Sequence, residues 1–213
     1  MRFLRSIAFS SLLLLLMMRA VVAAAGEGDT LDSVLARAAA QQQIAVAYRE
    51  VRHLQLLAEP WQAEGNIYVS SSAFVIEQLT PQRQLLCADR TRLWLWIPER
   101  RVRRSMMLTA PMAQKSLSLI KPIMHGDRKA LEQHFNIAFA TDNGRWQITL
   151  LPKAGEESPY SRVTVAGKVG EAADSMTTEL PDGDDSQWTF RQQHGGVAVA
   201  EKIEALTREA KGI

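Results

Sequence analysis

The stretch AFVIEQLTPQRQLLCADRTRLWLWIPER, residues 73–100, decides the fold. It holds three short apolar runs, Ala73 to Leu79, Gln84 to Ala88 and Leu93 to Ile97, broken by Pro81 and by Asp89-Arg90 and closed by Pro98. Each run has strand length, and the breaks between them are too short for crossover helices. Strands joined this way must run antiparallel. The pattern continues on both sides. Ile44 to Gln55 and Trp61 to Ser70, the latter centred on Ile67, Tyr68 and Val69, predict two strands upstream, and Arg101 to Leu108 predicts one downstream. A helix is expected over Asp32 to Gln43, capped by Asp29 or Thr30, because Leu31, Val34, Leu35 and Ala38 form one stripe.

The middle of the chain changes character. Met112 to Lys121, between Pro111 and Pro122, predicts a helix, and Asp127 to His134 a second one capped by Asp127. Strands resume where Phe135, Ile137 and Phe139 alternate. Asn143-Gly144 is a strong hairpin signal, and Trp146, Ile148 and Leu150 alternate beyond it. Tyr160 to Ala166, Ser175 to Leu180 and Gln187 to Arg191 extend the sheet, with a tight turn at Pro181 to Asp184 and a final helix over Val199 to Lys211. There is no internal repeat. The expected fold is a single α+β domain over residues 26–213, built on a large antiparallel sheet.

Residues 1–25 read as a secretory signal peptide. Arg2 and Arg5 precede the apolar run Ile7 to Met18, which is short for a membrane span, and Ala23-Ala24-Ala25 fits a small-residue cleavage site. Cleavage after Ala25 would leave 188 of the 213 residues; it removes three arginines and no acid, taking the net charge from +2 to −1. Charge and compartment then disfavour a nucleic-acid binder. Cys87 is the only cysteine, so a monomer has no disulfide, and its strand-like setting reads as a small buried hydrophobe. No cysteine follows the cleavage site to carry a lipid anchor. A soluble, monomeric periplasmic protein is expected.

Catalytic chemistry finds little support. Ser118 to Lys121, Thr141 to Asn143 and Lys153 to Gly155 imitate the three motifs of serine penicillin-recognising enzymes, but all lie within 38 residues. That is too short to build the two subdomains that bring such groups together. The four histidines (53, 125, 134 and 194) lack metal-ligand spacing, and Asp182 to Asp185 lacks the spaced ligands of a calcium loop. No enzyme, metal or cofactor is expected. Two features remain. Arg100, Arg101, Arg103 and Arg104 protect an edge strand or form a docking patch for anionic head groups or an acidic partner; alternation forbids all four from facing one way. Trp94 and Trp96 share one sheet face, and Phe74 and Ile76 share another. Such side chains either fill a solid core or line a space that holds acyl chains, each buried methylene contributing about 0.8 kcal/mol.

The order of the pieces resembles the periplasmic outer-membrane lipoprotein carriers, the LolA-like family. The resemblance is carried by Val46-Ala47-Tyr48-Arg49-Glu50, by Gly65-Asn66-Ile67-Tyr68-Val69, by Ala73 to Pro81, and above all by Asp89-Arg90-Thr91-Arg92-Leu93-Trp94-Leu95-Trp96-Ile97-Pro98. It implies an unclosed, curved antiparallel β-barrel of about eleven strands with helices covering its concave face. It also implies a non-enzymatic carrier that takes acylated cargo from an inner-membrane transporter and hands it to an outer-membrane acceptor. By position Phe74 and Ile76 match residues that line the family's cavity; Tyr68, Trp94, Trp96, Leu117 and Ile120 are further expected lipid contacts, with residues 112–121 as part of the lid. Two departures point to a divergent branch. Arg90 stands where the family has a turn glycine, and the arginine that latches the family's lid is replaced by Ser70 or Ser71; Arg52 or Arg83 would substitute only in a suitable register. The alternative is a non-carrier interaction protein, or an accessory factor in exporting a fatty-acyl or polyene product.

Overall fold

Two meanders share one central seam. β1 (Gln43–His53), β2 (Trp61–Ser70), β3 (Phe74–Thr80), β4 (Gln84–Ala88), β5 (Arg92–Ile97) and β6 (Val102–Met107) form the first. β7 (Phe135–Asp142), β8 (Arg145–Pro152), β9 (Arg162–Lys168), β10 (Ala173–Glu179) and β11 (Asp185–Gly195) form the second. β11 pairs antiparallel with β1, from Ile44 opposite Gly195 to His53 opposite Asp185. The result is one 11-stranded sheet in the order β6-β5-β4-β3-β2-β1-β11-β10-β9-β8-β7. Its two edges, β6 and β7, do not pair, so the curved sheet stays unclosed, as the resemblance implies. This is a computed structural model that describes residues 28–41, 43–70, 72–109, 122–123 and 126–213, with backbone only at 192–195. The expected signal peptide, the helix over Met112 to Lys121 and Ser71 lie outside the described residues.

Among the described residues, α1 (Leu31–Ala40), α2 (Arg128–His134) and α3 (Val197–Lys211) cover the sheet. Thr30 and Ser33 cap α1 reciprocally, the backbone N–H of each donating to the other's hydroxyl at 2.9 and 3.1 Å. The helix stops at Ala40, short of the expected Gln43, because Gln43 enters the ladder opposite Ser70. Asp127 caps α2 by accepting from the Ala130 N–H. Asn143 and Gly144 both take positive φ, 50° and 73°, in the expected hairpin turn.

Alternation then sorts the side chains. On the inner face, Val34 and Leu35 of α1 and Leu131 of α2 pack with Trp146, Leu150 and Val163. On the outer face, Val199, Ile203, Leu206 and Ala210 of α3 lie over Ala45, Tyr68, Val75, Leu85 and Cys87. The chain thus carries a helical layer on both sides of one sheet. Cys87 is fully buried beneath α3, and burial pushes its thiol up to about 12. It is an unreactive packing group.

The motif positions have local reasons. Gly65 sits at a register shift between β2 and β3, where a Cβ would lie 2.1 Å from the Glu77 carbonyl oxygen. The turn carrying Arg90 needs no glycine. Asp89 Oδ1 accepts from the N–H groups of Thr91 and Arg92 at 2.8 and 3.0 Å, and Arg90 is not among the described residues with positive φ.

Candidate functional site

Among the described residues, α1 and α2 do not fill the inner face. α1 and α2 cover the β7–β10 half, and between them and the central strands lies a cavity of about 490 Å³. Val46 of β1, Ile67 of β2, Phe74 and Ile76 of β3, and Trp188 and Phe190 of β11 form its floor. The roof is Val34, Leu35 and Ala38 of α1 with Ile123. These side chains converge because every second residue of adjacent antiparallel strands stands on the same side: Val46 faces Ile67, and Ile67 faces Ile76. The wall is overwhelmingly apolar. A close-packed protein rarely leaves such space without a use.

One end of the cavity is polar. Glu50, Arg52, Thr178 and Ser186 all line it, on neighbouring strands β1, β10 and β11. Glu50 is buried, with only 2% of its surface exposed, and both its carboxylate oxygens accept from Arg52, at 2.5 Å from Nε and 3.1 Å from Nη2. The Arg52 guanidinium lies 4.5 Å from the centroid of Trp61, its cross-strand partner, and keeps 42% of its side chain exposed. Asp184 and Asp185 also line this end, while Asp185 pairs with His53 at 3.0 Å. Tyr160 completes it, and burial raises its pKa so that the hydroxyl stays protonated.

The roof is tied down by charge. Asp29 accepts bidentately from Arg37 of α1, 2.7 Å to each oxygen, and from the Gly170 N–H in the β9–β10 turn at 2.8 Å. The Arg37 hydrogen bond is the main reason its carboxyl falls to about 2. Arg128 of α2 reaches Asp32 of α1 at 2.7 Å and Glu132 at 2.6 Å. Gly126 lets the chain entering α2 press against α1: its φ is 62°, and a Cβ there would sit 2.0 Å from the Leu35 carbonyl oxygen. Neither Arg52 nor Arg83 takes part in this latch. Arg83 instead bridges Glu77 and Glu209 on the α3 side. Ser70 is occupied by its own turn, accepting from the Ala73 N–H at 3.1 Å.

The sequence-nominated residues therefore divide. Phe74 and Ile76 line the cavity. Tyr68, Trp94 and Trp96 do not; they lie on the outer face under α3, where Lys211 stands over Trp94 at 4.2 Å and Arg103 over Trp96 at 4.0 Å. Their alternation is as read, but the second helical layer puts that face against protein. Leu117 and Ile120 lie outside the described residues. Of the arginine run, Arg103 is taken up internally, donating to the carbonyls of Ala210 and Glu209 at the end of α3. Arg100 and Arg101 lie in the β5–β6 turn, and Arg104 is exposed on the edge strand β6. Glu50 and Arg52 appear in the sequence reading only as a motif residue and a possible latch, not as a polar pole of the cavity. Their signal was two charges in phase with Val46 and Tyr48, at every second residue of an otherwise apolar strand face. Among the described residues, no group of three or more His, Cys, Asp or Glu is placed to hold a metal.

The family model described as outer membrane lipoprotein carrier protein LolA matches residues 51–203. No curated protein matches. Among solved structures, a LolA superfamily protein from Nitrosomonas europaea is similar at 12% identity and a TM-score of 0.44, covering 79% of this chain and 95% of that one. A putative outer membrane lipoprotein-sorting protein domain from Vibrio parahaemolyticus is similar at 14% identity and a TM-score of 0.41, covering 84% and 100%. An uncharacterized conserved protein from Thermus thermophilus is similar at 7% identity and a TM-score of 0.46, covering 79% and 90%.

Proposed function

We propose that this chain, which belongs to the LolA family of outer membrane lipoprotein carrier proteins, shields the acyl chains of a lipoprotein or lipid and ferries them between membranes across the periplasm. The observation that carries the reading is the unfilled apolar cavity under α1 and α2, floored by Phe74, Ile76, Trp188 and Phe190. An acyl chain laid along that surface gains about 0.8 kcal/mol for each methylene it buries. The reading requires no catalytic group and no cofactor. Its partners are the acylated cargo, an inner-membrane donor and an outer-membrane acceptor.

Two features fit a branch with its own cargo. The lid is tied by Arg128–Asp32 and Asp29–Gly170, with serine at the family's latch arginine. The mature chain is proposed to begin at Gly26, which intact-mass measurement of a periplasmic extract tests. The carrier reading is tested by transfer. Vesicles loaded with a self-quenched acyl fluorophore are mixed with unlabelled vesicles, and the protein should accelerate dequenching in proportion to its concentration. No acceleration at any concentration would refute it.

A further inference from the structure

Charged residues line the cavity in two places: Arg37, paired with Asp29, and Glu171 at one, and Glu50, Arg52, Asp184 and Asp185 at the other. Arg52 presents its guanidinium at the end of an apolar space, with 42% of the side chain still accessible. Two of its nitrogens, Nε and Nη2, are bound to Glu50. Nη1 has no partner among the described residues. The positive charge is thus already balanced by a carboxylate that is buried and cannot be rehydrated without opening the wall. Asp184 and Asp185 add further negative charge at the same end, offset by His53 only when that ring is protonated. The site offers N–H and O–H donors from Arg52, Thr178, Ser186 and Tyr160, but no net positive charge.

We infer that this pole recognises the neutral carbonyl of an ester- or amide-linked acyl chain and discriminates against a free fatty carboxylate. This deepens the carrier reading and rests on it. A carbonyl oxygen accepts a charge-assisted hydrogen bond from Nη1 without adding charge. A carboxylate entering the same place faces Glu50 across one guanidinium, with two aspartates nearby, where like charges disfavour the ionised form. A cavity of about 490 Å³ falls within the about 300–1,000 Å³ of sites that enclose one small ligand, room for an acyl chain. The tail lies along Phe74 and Ile76, with its head at Arg52.

The test compares three probes of equal chain length at pH 7, palmitate, monopalmitoylglycerol and N-palmitoyl glycinamide, by competition against a fluorescent acyl probe on the full mature chain. The ester, the amide or both should bind at least tenfold more tightly than palmitate. A preference for the ester alone assigns a glycerolipid source, and a preference for the amide alone an N-acylated protein. Both outcomes support the neutral-carbonyl pole. Glu50→Gln removes the counter-charge while keeping the shape, leaves Arg52 cationic, and should cut the discrimination against palmitate at least fivefold. Arg52→Gln with Glu50→Gln avoids a stranded charge and should bind all three probes alike. Equal binding of the three probes by the parent, or a ratio unchanged by Glu50→Gln, overturns the inference and leaves the carrier reading intact. Failure of the parent to bind any of them overturns both.

Discussion

The cavity sets a chain-length optimum that a homologous series of acyl ligands can read. Its volume of about 490 Å³, in the about 300–1,000 Å³ range of sites that enclose one ligand, encloses a finite length of acyl chain. Up to that length every added methylene leaves water for a wall of apolar side chains such as Ile67, Phe74 and Ile76, gaining about 0.8 kcal/mol, or about fourfold in Kd. Ordering a flexible chain offsets part of this, so about two- to fourfold per methylene is expected. Beyond it, further carbons have no cavity wall to contact. A titration of saturated monoacylglycerols from ten to twenty-two carbons, followed by displacement of a fluorescent acyl probe, should show affinity rising with length and then levelling before the longest chains. An affinity independent of chain length, or one still climbing at twenty-two carbons, would refute the assignment of this cavity as the acyl site.

Three further outcomes follow from the same geometry. Phe74→Glu places an unpaired carboxylate on the cavity floor, a cost of several kcal/mol, and should abolish probe binding while circular dichroism still reports the sheet; undiminished binding would exclude Phe74 as a contact. Arg128→Ala cuts the α1–α2 tie, whose groups are largely exposed, so Tm should hardly move while release of bound probe quickens; unchanged release would remove that pair from the latch. Asp29 is held at about 2, below its usual 3.8, so its contribution to docking α1 is whole above pH 4 and lost as pH falls through about 2. A fluorophore on the exposed face of α1, at Ala36→Cys, should report undocking in that acid range in the parent, and at neutral pH in Asp29→Asn.

Strand order was legible because short connections leave only an antiparallel meander, and Asn143-Gly144 marked a hairpin outright. The division of faces was legible too: Trp94 and Trp96 do lie opposite Phe74 and Ile76 in sense. Which face held the cavity was not. Period-two alternation identifies the partners on a face but not what covers it, and α3 covers the outer one with the stripe Val199, Ile203, Leu206 and Ala210. Large aromatics were assigned to the ligand for want of that helix. The pairing of β1 with β11 joins residues about 140 apart, beyond local pattern, and it alone brings Trp188 and Phe190 beside Val46. The Glu50–Arg52 pair was the reverse case, a local signal present on one strand whose members were read separately, Glu50 within a motif and Arg52 as a possible latch.

The central claim is that the space beneath α1 and α2 exists to hold acyl chains. Purification of the mature protein from periplasm without detergent, followed by organic extraction and mass spectrometry, tests it most directly. Acyl material should accompany the folded protein, and should be lost from Phe74→Glu. A parent protein that yields no acyl material, and takes up none when it is supplied, would contradict the claim.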